Sequence, residues 1–130
     1  MADRYLLDTH TLVWWAFGSA RLSNAARELI EDPDNVMLFS PVTAMEIATK
    51  VRIGKFDDAR VLATNFNRQM TEHGLTELPV TSQHAEMAGG FASTNNDPWD
   101  RILAAQARCE DIVLITNDSK MDDFQVRIFW

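Results

Sequence analysis

A single cysteine, Cys109, rules out a disulfide within the chain and fits a reducing cytoplasm. It falls late in an apolar helical pattern, which reads as a buried structural thiol rather than a nucleophile. No apolar run is long enough to span a membrane. The opening Met1-Ala2-Asp3-Arg4 passes at once into a strand-like run without a signal-peptide layout, so the chain is expected in the cytoplasm. The three histidines, His10, His73 and His84, show no zinc spacing. Basic residues are also scarce: 12 Lys and Arg against 19 Asp and Glu give a net charge of -7. That excludes the broad basic footprint from which generic nucleic-acid binders draw their affinity. Two readings remain: no contact with nucleic acid, or acids concentrated in a site whose cations meet the phosphate. Repeats, low-complexity tracts and linkers are absent, so residues 1–130 read as one domain.

What is present alternates. Five β-like runs, Arg4-Leu7, Val36-Phe39, Thr76-Val80, Ile112-Thr116 and Gln125-Phe129, are separated mostly by stretches of helical period. The helical stretches are Thr11-Phe17, Asn24-Glu31, Thr43-Ile53, Asp58-His73, Ser82-Phe91 and Trp99-Glu110. This order predicts an α/β fold, a central parallel sheet of about five strands with helices on both faces. Tyr5-Leu6-Leu7 and Ile112-Val113-Leu114-Ile115 are unbroken apolar runs, as strands buried on both faces require. Gly54 is placed to end the third helix in a left-handed cap. Ser93-Thr94-Asn95-Asn96-Asp97-Pro98 reads as a polar loop before the last helix.

The acids decide between the two charge readings. In an open parallel sheet, ligands bind beyond the carboxyl ends of the strands. Asp8 follows the first strand directly, Glu46 is expected in the first turn of the helix after the second, and Asp118 comes just past the fourth. Asp100 starts the helix that leads into the fourth strand, which puts it at the same edge. Like charges this close raise one another's pKa, and a divalent cation is the usual remedy. Oxygen-only donors select hard ions such as Mg²⁺ or Mn²⁺, which points to phosphoryl chemistry. Each acid also has a local explanation. Asp8 can cap a helix. Glu46 completes a Thr43-Ala44-Met45-Glu46 capping box and stands four residues before Lys50. In Asp97-Pro98-Trp99-Asp100, Asp97 is a natural N-cap and Asp100 suits the helix dipole. Asp118 sits in a turn composition. The case rests on their falling together.

Lys50, Arg52 and Lys55 form a basic patch beyond Glu46, either a solvated helix end or a phosphate-backbone contact beside the metal site. The pair Trp14-Trp15 lies in a helix apolar on nearly all sides, which suggests core packing for one and an interface for the other. A receiver-like phosphoacceptor domain expects an early acidic pair and a Lys after a late strand. Here only Asp3 precedes Asp8, and Lys120 follows the fourth strand. A haloacid-dehalogenase-type phosphatase wants a second Asp where His10 stands.

Four segments, in order, are similar to the PIN-domain nucleases, and among them to the VapC-like toxins of type II toxin–antitoxin modules. They are Leu6-Leu7-Asp8-Thr9-His10-Thr11-Leu12-Val13-Trp14-Trp15, Ser40-Pro41-Val42-Thr43-Ala44-Met45-Glu46-Ile47-Ala48-Thr49-Lys50, Asp97-Pro98-Trp99-Asp100-Arg101-Ile102-Leu103-Ala104-Ala105-Gln106-Ala107 and Leu114-Ile115-Thr116-Asn117-Asp118. Met45 and Trp99 depart from the pattern, where Trp and Phe are expected. The resemblance implies a three-layer α/β/α fold and a Mg²⁺- or Mn²⁺-dependent endoribonuclease. Asp8, Glu46, Asp100 and Asp118 would be its catalytic and metal-binding acids, with Asp97 in reserve. Thr9 and Thr116 would orient a water or an acid, and Arg101 would support the carboxylates or a phosphate. It further implies an RNA substrate, a cognate antitoxin and a homodimer. A PIN-like module without catalytic activity is the alternative within the same fold.

Overall fold

Leu6 and Leu7, neighbours in sequence, are both fully buried on opposite faces of one strand. They belong to β1 (Arg4–Leu7), the centre of a five-stranded sheet. The computed structural model describes residues 3–130; Met1 and Ala2, the first residues of the strand-leading N-terminus, lie outside the described residues. The other strands are β2 (Val36–Phe39), β3 (Thr76–Glu77), β4 (Val113–Ile115) and β5 (Ile128–Phe129), in the order β3-β2-β1-β4-β5. Every pairing is parallel, with Leu6 opposite Leu38 on one side and Leu114 on the other.

The helices are α1 (Thr9–Ala16), α2 (Asn24–Glu31), α3 (Pro41–Arg52), α4 (Phe66–Glu72), α5 (Ser82–Gly90) and α6 (Pro98–Cys109), joined by 3₁₀ turns at Asp57–Ala63 and Ser119–Phe124. Strand alternation divides the core between the two faces. Leu7, Phe39 and Ile115 pack with Leu12 of α1, Ile47 of α3 and Phe66 of α4. Leu6, Leu38 and Leu114 pack with Leu103, Ala104 and Ala107 of α6 and with Phe124. The result is the three-layer α/β/α arrangement that alternating elements predict. Among the described residues no helix is long and apolar enough to cross a membrane.

Several expected boundaries move for identifiable reasons. The helix expected over Asp58-His73 is broken. Thr64 is extended and Asn65 takes a left-handed φ of 53°, while the Gln69 side-chain amide donates to the Val61 and Thr64 carbonyls exposed by the break. A strand over Thr76-Val80 shortens to two residues, because Leu78 makes one last bond to Phe39 and Pro79 has no N–H to continue. Gln125, at φ 57°, delays β5 to Ile128. The 3₁₀ turn after β4 has no strong periodic signal and was not anticipated. Gly54 ends the α3 region at φ +76°, as expected. Cys109 is half-buried rather than buried, its thiol 3.7 Å from the Met87 sulfur.

Candidate active site

The strand order reverses at β1, with β2 built outward on one side and β4 on the other. A crevice at the carboxyl ends of the strands is the expected consequence of such a reversal. A cavity of about 600 Å³ opens there, and Asp8, Glu46, Asp97, Asp100 and Asp118 all line it.

Asp8 leaves β1 and caps α1. One carboxylate oxygen accepts from the Thr11 N–H at 2.8 Å, and the other accepts from the Thr116 hydroxyl. Thr11 in turn donates its hydroxyl to the Ile115 carbonyl at 2.9 Å, tying α1 to the end of β4. Burial raises the Asp8 carboxyl above its ordinary range, and the bonds from Thr116 and Thr11 offset only part of that rise. Thr116 is fully buried and also accepts from the Asp118 N–H at 3.1 Å, so a single hydroxyl positions both acids. Asp118 caps the following 3₁₀ turn through the Lys120 N–H at 3.0 Å.

The capping box expected at Thr43 does not form. Ser40 is the N-cap of α3 and Pro41 its first residue, because proline is pre-set for that position. Thr43 therefore lies inside the helix, where its hydroxyl meets that of Thr9 at 3.1 Å. Glu46 falls in the second turn, only 5% exposed, and the Lys50 ammonium donates to its carboxylate at 2.5 Å. A capping box does occur at Thr81, with His84 rather than an acid as its partner. Asp97 caps α6, with Pro98 first and Asp100 third in that helix. Asp100 accepts from the Asn95 amide at 3.1 Å. Its carboxyl is pushed up to about 6, chiefly by burial, with the charges of Asp97, Asp118 and Glu46 adding to the rise and the Asn95 bond opposing it.

Other residues expected at the site divide. Thr9 and Lys50 line the cavity; Arg52 and Lys55, both exposed, do not. Arg101 reaches neither a carboxylate nor the cavity. Its guanidinium donates to the backbone carbonyls of Ala88 and Phe91 at the end of α5 and of Ser93 and Asn95 in the loop before α6. Residues not anticipated also line the wall, among them Asn95, His10, Trp14, Arg21, Asn117 and Lys120. Asn95 was legible only as part of a polar loop, and Arg21 carries no local signal of a site. Trp14 and Trp15 are both half-buried, Trp14 beside His10 and Trp130 and Trp15 edge-on to His73.

Among the described residues no group of three or more His, Cys, Asp or Glu side chains is already arranged to hold a metal ion. Donors within the protein engage each of these carboxylates. By chemistry the set still fits a hard divalent ion. It is all oxygen, it surrounds one cavity, and its charges are near enough to raise the Asp100 carboxyl together.

Comparison with known proteins agrees with this architecture. The chain is 28% identical over 116 residues to Ribonuclease VapC22 of Mycobacterium tuberculosis, covering 89% of this chain and 88% of that protein. It shares its fold with VapC20 of the same organism, a sarcin-ricin-loop-cleaving toxin, at a TM-score of 0.68 and 19% identity over 94% of this chain and 95% of that one. VapBC-1 from nontypeable Haemophilus influenzae gives 0.68 and 18% over 97% and 96%, and VapBC2 from Rickettsia felis, bound to a DNA fragment from the promoter, gives 0.66 and 16% over 98% of each. Residues 5–126 match the PIN domain, and the chain belongs to that family.

Proposed function

We propose that this chain is a divalent-metal-dependent endoribonuclease and the toxin of a type II toxin–antitoxin pair. One observation carries the reading: four acids from four separate segments line a single cavity at the reversal of strand order, in a chain of the PIN domain family. Asp8, Glu46, Asp100 and Asp118 would hold one or two Mg²⁺ or Mn²⁺ ions, with Asp97 in reserve. When bound, such ions lower the pKa of water and offset charge on a phosphodiester.

The chain's own residues supply the rest. Thr116 fixes the orientation of Asp8 and the backbone of Asp118. Asn95 holds one oxygen of Asp100, which lines the cavity. Arg21 and Lys120 put positive charge on the cavity wall, where an RNA backbone would run past the acids. No side-chain nucleophile is needed. The test is cleavage of RNA by purified protein. We expect activity with Mg²⁺ or Mn²⁺, loss with a chelator and recovery when the ion is restored. Cleavage that persists in the chelator contradicts the reading.

The engagement of every carboxylate by a protein donor favours one second reading, a PIN-like module that binds without cutting. Calorimetry showing no Mn²⁺ uptake decides for it. As partners we propose a cognate antitoxin and a second copy of the chain, in the cytoplasm. An acidic cavity suits a basic side chain from the antitoxin, and the helix carrying Trp14 and Trp15 offers an apolar surface beside it. Light scattering of the purified chain, alone and co-expressed with the product of the adjacent gene, tests both.

A further inference from the structure

The chain has three lysines, Lys50, Lys55 and Lys120, and among the described residues only Lys50 has a carboxylate partner. Its ammonium lies 2.5 Å from Glu46, whose side chain is 7% exposed, and it also lines the acidic cavity. A carboxylate buried to that degree is costly unless a positive charge accompanies it. Four-residue spacing on α3, with the Glu N-terminal to the Lys, places that charge without backbone strain. The pair therefore differs from the Arg60–Asp57 and Arg68–Glu72 pairs, whose side chains are all well exposed to solvent.

We propose that Lys50 is an internal counter-ion that holds Glu46 while the site contains no metal and gives way to a divalent cation, which frees the ammonium to meet substrate phosphate. The inference rests on the reading of Glu46 as a metal ligand. Two facts support the exchange. The ammonium donates to the same carboxylate that would bind the ion, so ammonium and cation compete for its negative charge. The Lys50 side chain is 30% exposed on the cavity side, so release needs only rotation about its flexible stem, not movement of α3. The consequence is ordered binding. Without metal the cavity presents unneutralised acids and a sequestered lysine to RNA. With metal, the acids are neutralised and a cation becomes available.

Lysine acylation read residue by residue by mass spectrometry tests this on the unmodified protein. In the metal-free protein Lys50 reacts more slowly than Lys55 and Lys120; saturating Mg²⁺ accelerates Lys50 and leaves the other two unchanged. Calorimetry with Mn²⁺ supplies the second arm. Lys50→Met binds Mn²⁺ about tenfold tighter than the parent, since one competing charge is gone. Lys120→Met removes a charge from the same wall but frees no carboxylate, so it gains clearly less. Lys50→Arg keeps the competing charge and stays near the parent. Metal that binds without changing Lys50 reactivity, or equal gains in the two Met variants, overturns the proposal and leaves the metal site standing. No Mn²⁺ or Mg²⁺ binding by any form removes both.

Discussion

Thr116 has no charge and yet joins two of the acids, donating to Asp8 and accepting from the Asp118 backbone. Thr116→Val keeps the shape and removes both bonds. The expected cost is about 1–3 kcal/mol of stability by denaturant melting, with a fall in RNA cleavage that added Mn²⁺ does not repair. Asp100 gives a pH signature. Its folded carboxyl lies near 6 against an ordinary 3.8, so the fold favours the protonated form. That contribution is complete below 3.8 and is lost as pH rises through about 6. Metal-free protein should therefore lose melting temperature across that interval, and Mg²⁺ should raise it more at about pH 7.5 than at about pH 5. An equal Mg²⁺ effect at both values contradicts this. Asp8 and Asp118 were legible because a strand end places them. Glu46 was misread locally, since Ser40 and Pro41 start α3 before the supposed box. Arg101 was misread because its carbonyl partners come from a loop whose path no local pattern reveals.

The loop before α6 is the element on which Asp100 depends. Arg101 joins the end of α5 to Ser93 and Asn95, and Asn95 in turn reaches Asp100. Arg101→Met should cost about 2–3 kcal/mol, since several backbone carbonyls lose a charged donor together. Asp97→Ala, which removes the α6 cap and also a charge that repels Asp100, should cost no more than about 1 kcal/mol. Thermal or urea unfolding of the two variants compares them, and the reverse ranking would refute the clamp. Elements with strong periodicity matched their expected type, and Val36–Phe39 and Asn24–Glu31 matched to the residue. The failures lie where a side chain or a backbone twist overrides periodicity: Gln69 at the α4 break, Pro79 after β3 and Gln125 before β5.

Across the molecule, an overall charge of -7 and the RNA substrate we propose are reconciled by location. Part of the negative charge is gathered at the reversal of strand order, where Arg21, Lys50 and Lys120 share the wall. The parallel sheet was legible because unbroken apolar strands alternate with helices. Cavity-wall residues from distant segments, Arg21 above all, were not, because only folding brings them there. The central claim is that this acid cluster performs the chemistry, and its most direct measurement is the RNA cleavage rate of Asp8→Asn at saturating Mn²⁺, with circular dichroism to confirm the fold. We predict a loss of at least about a hundredfold in a folded protein. A folded Asp8→Asn that cuts RNA at the parental rate would contradict the account.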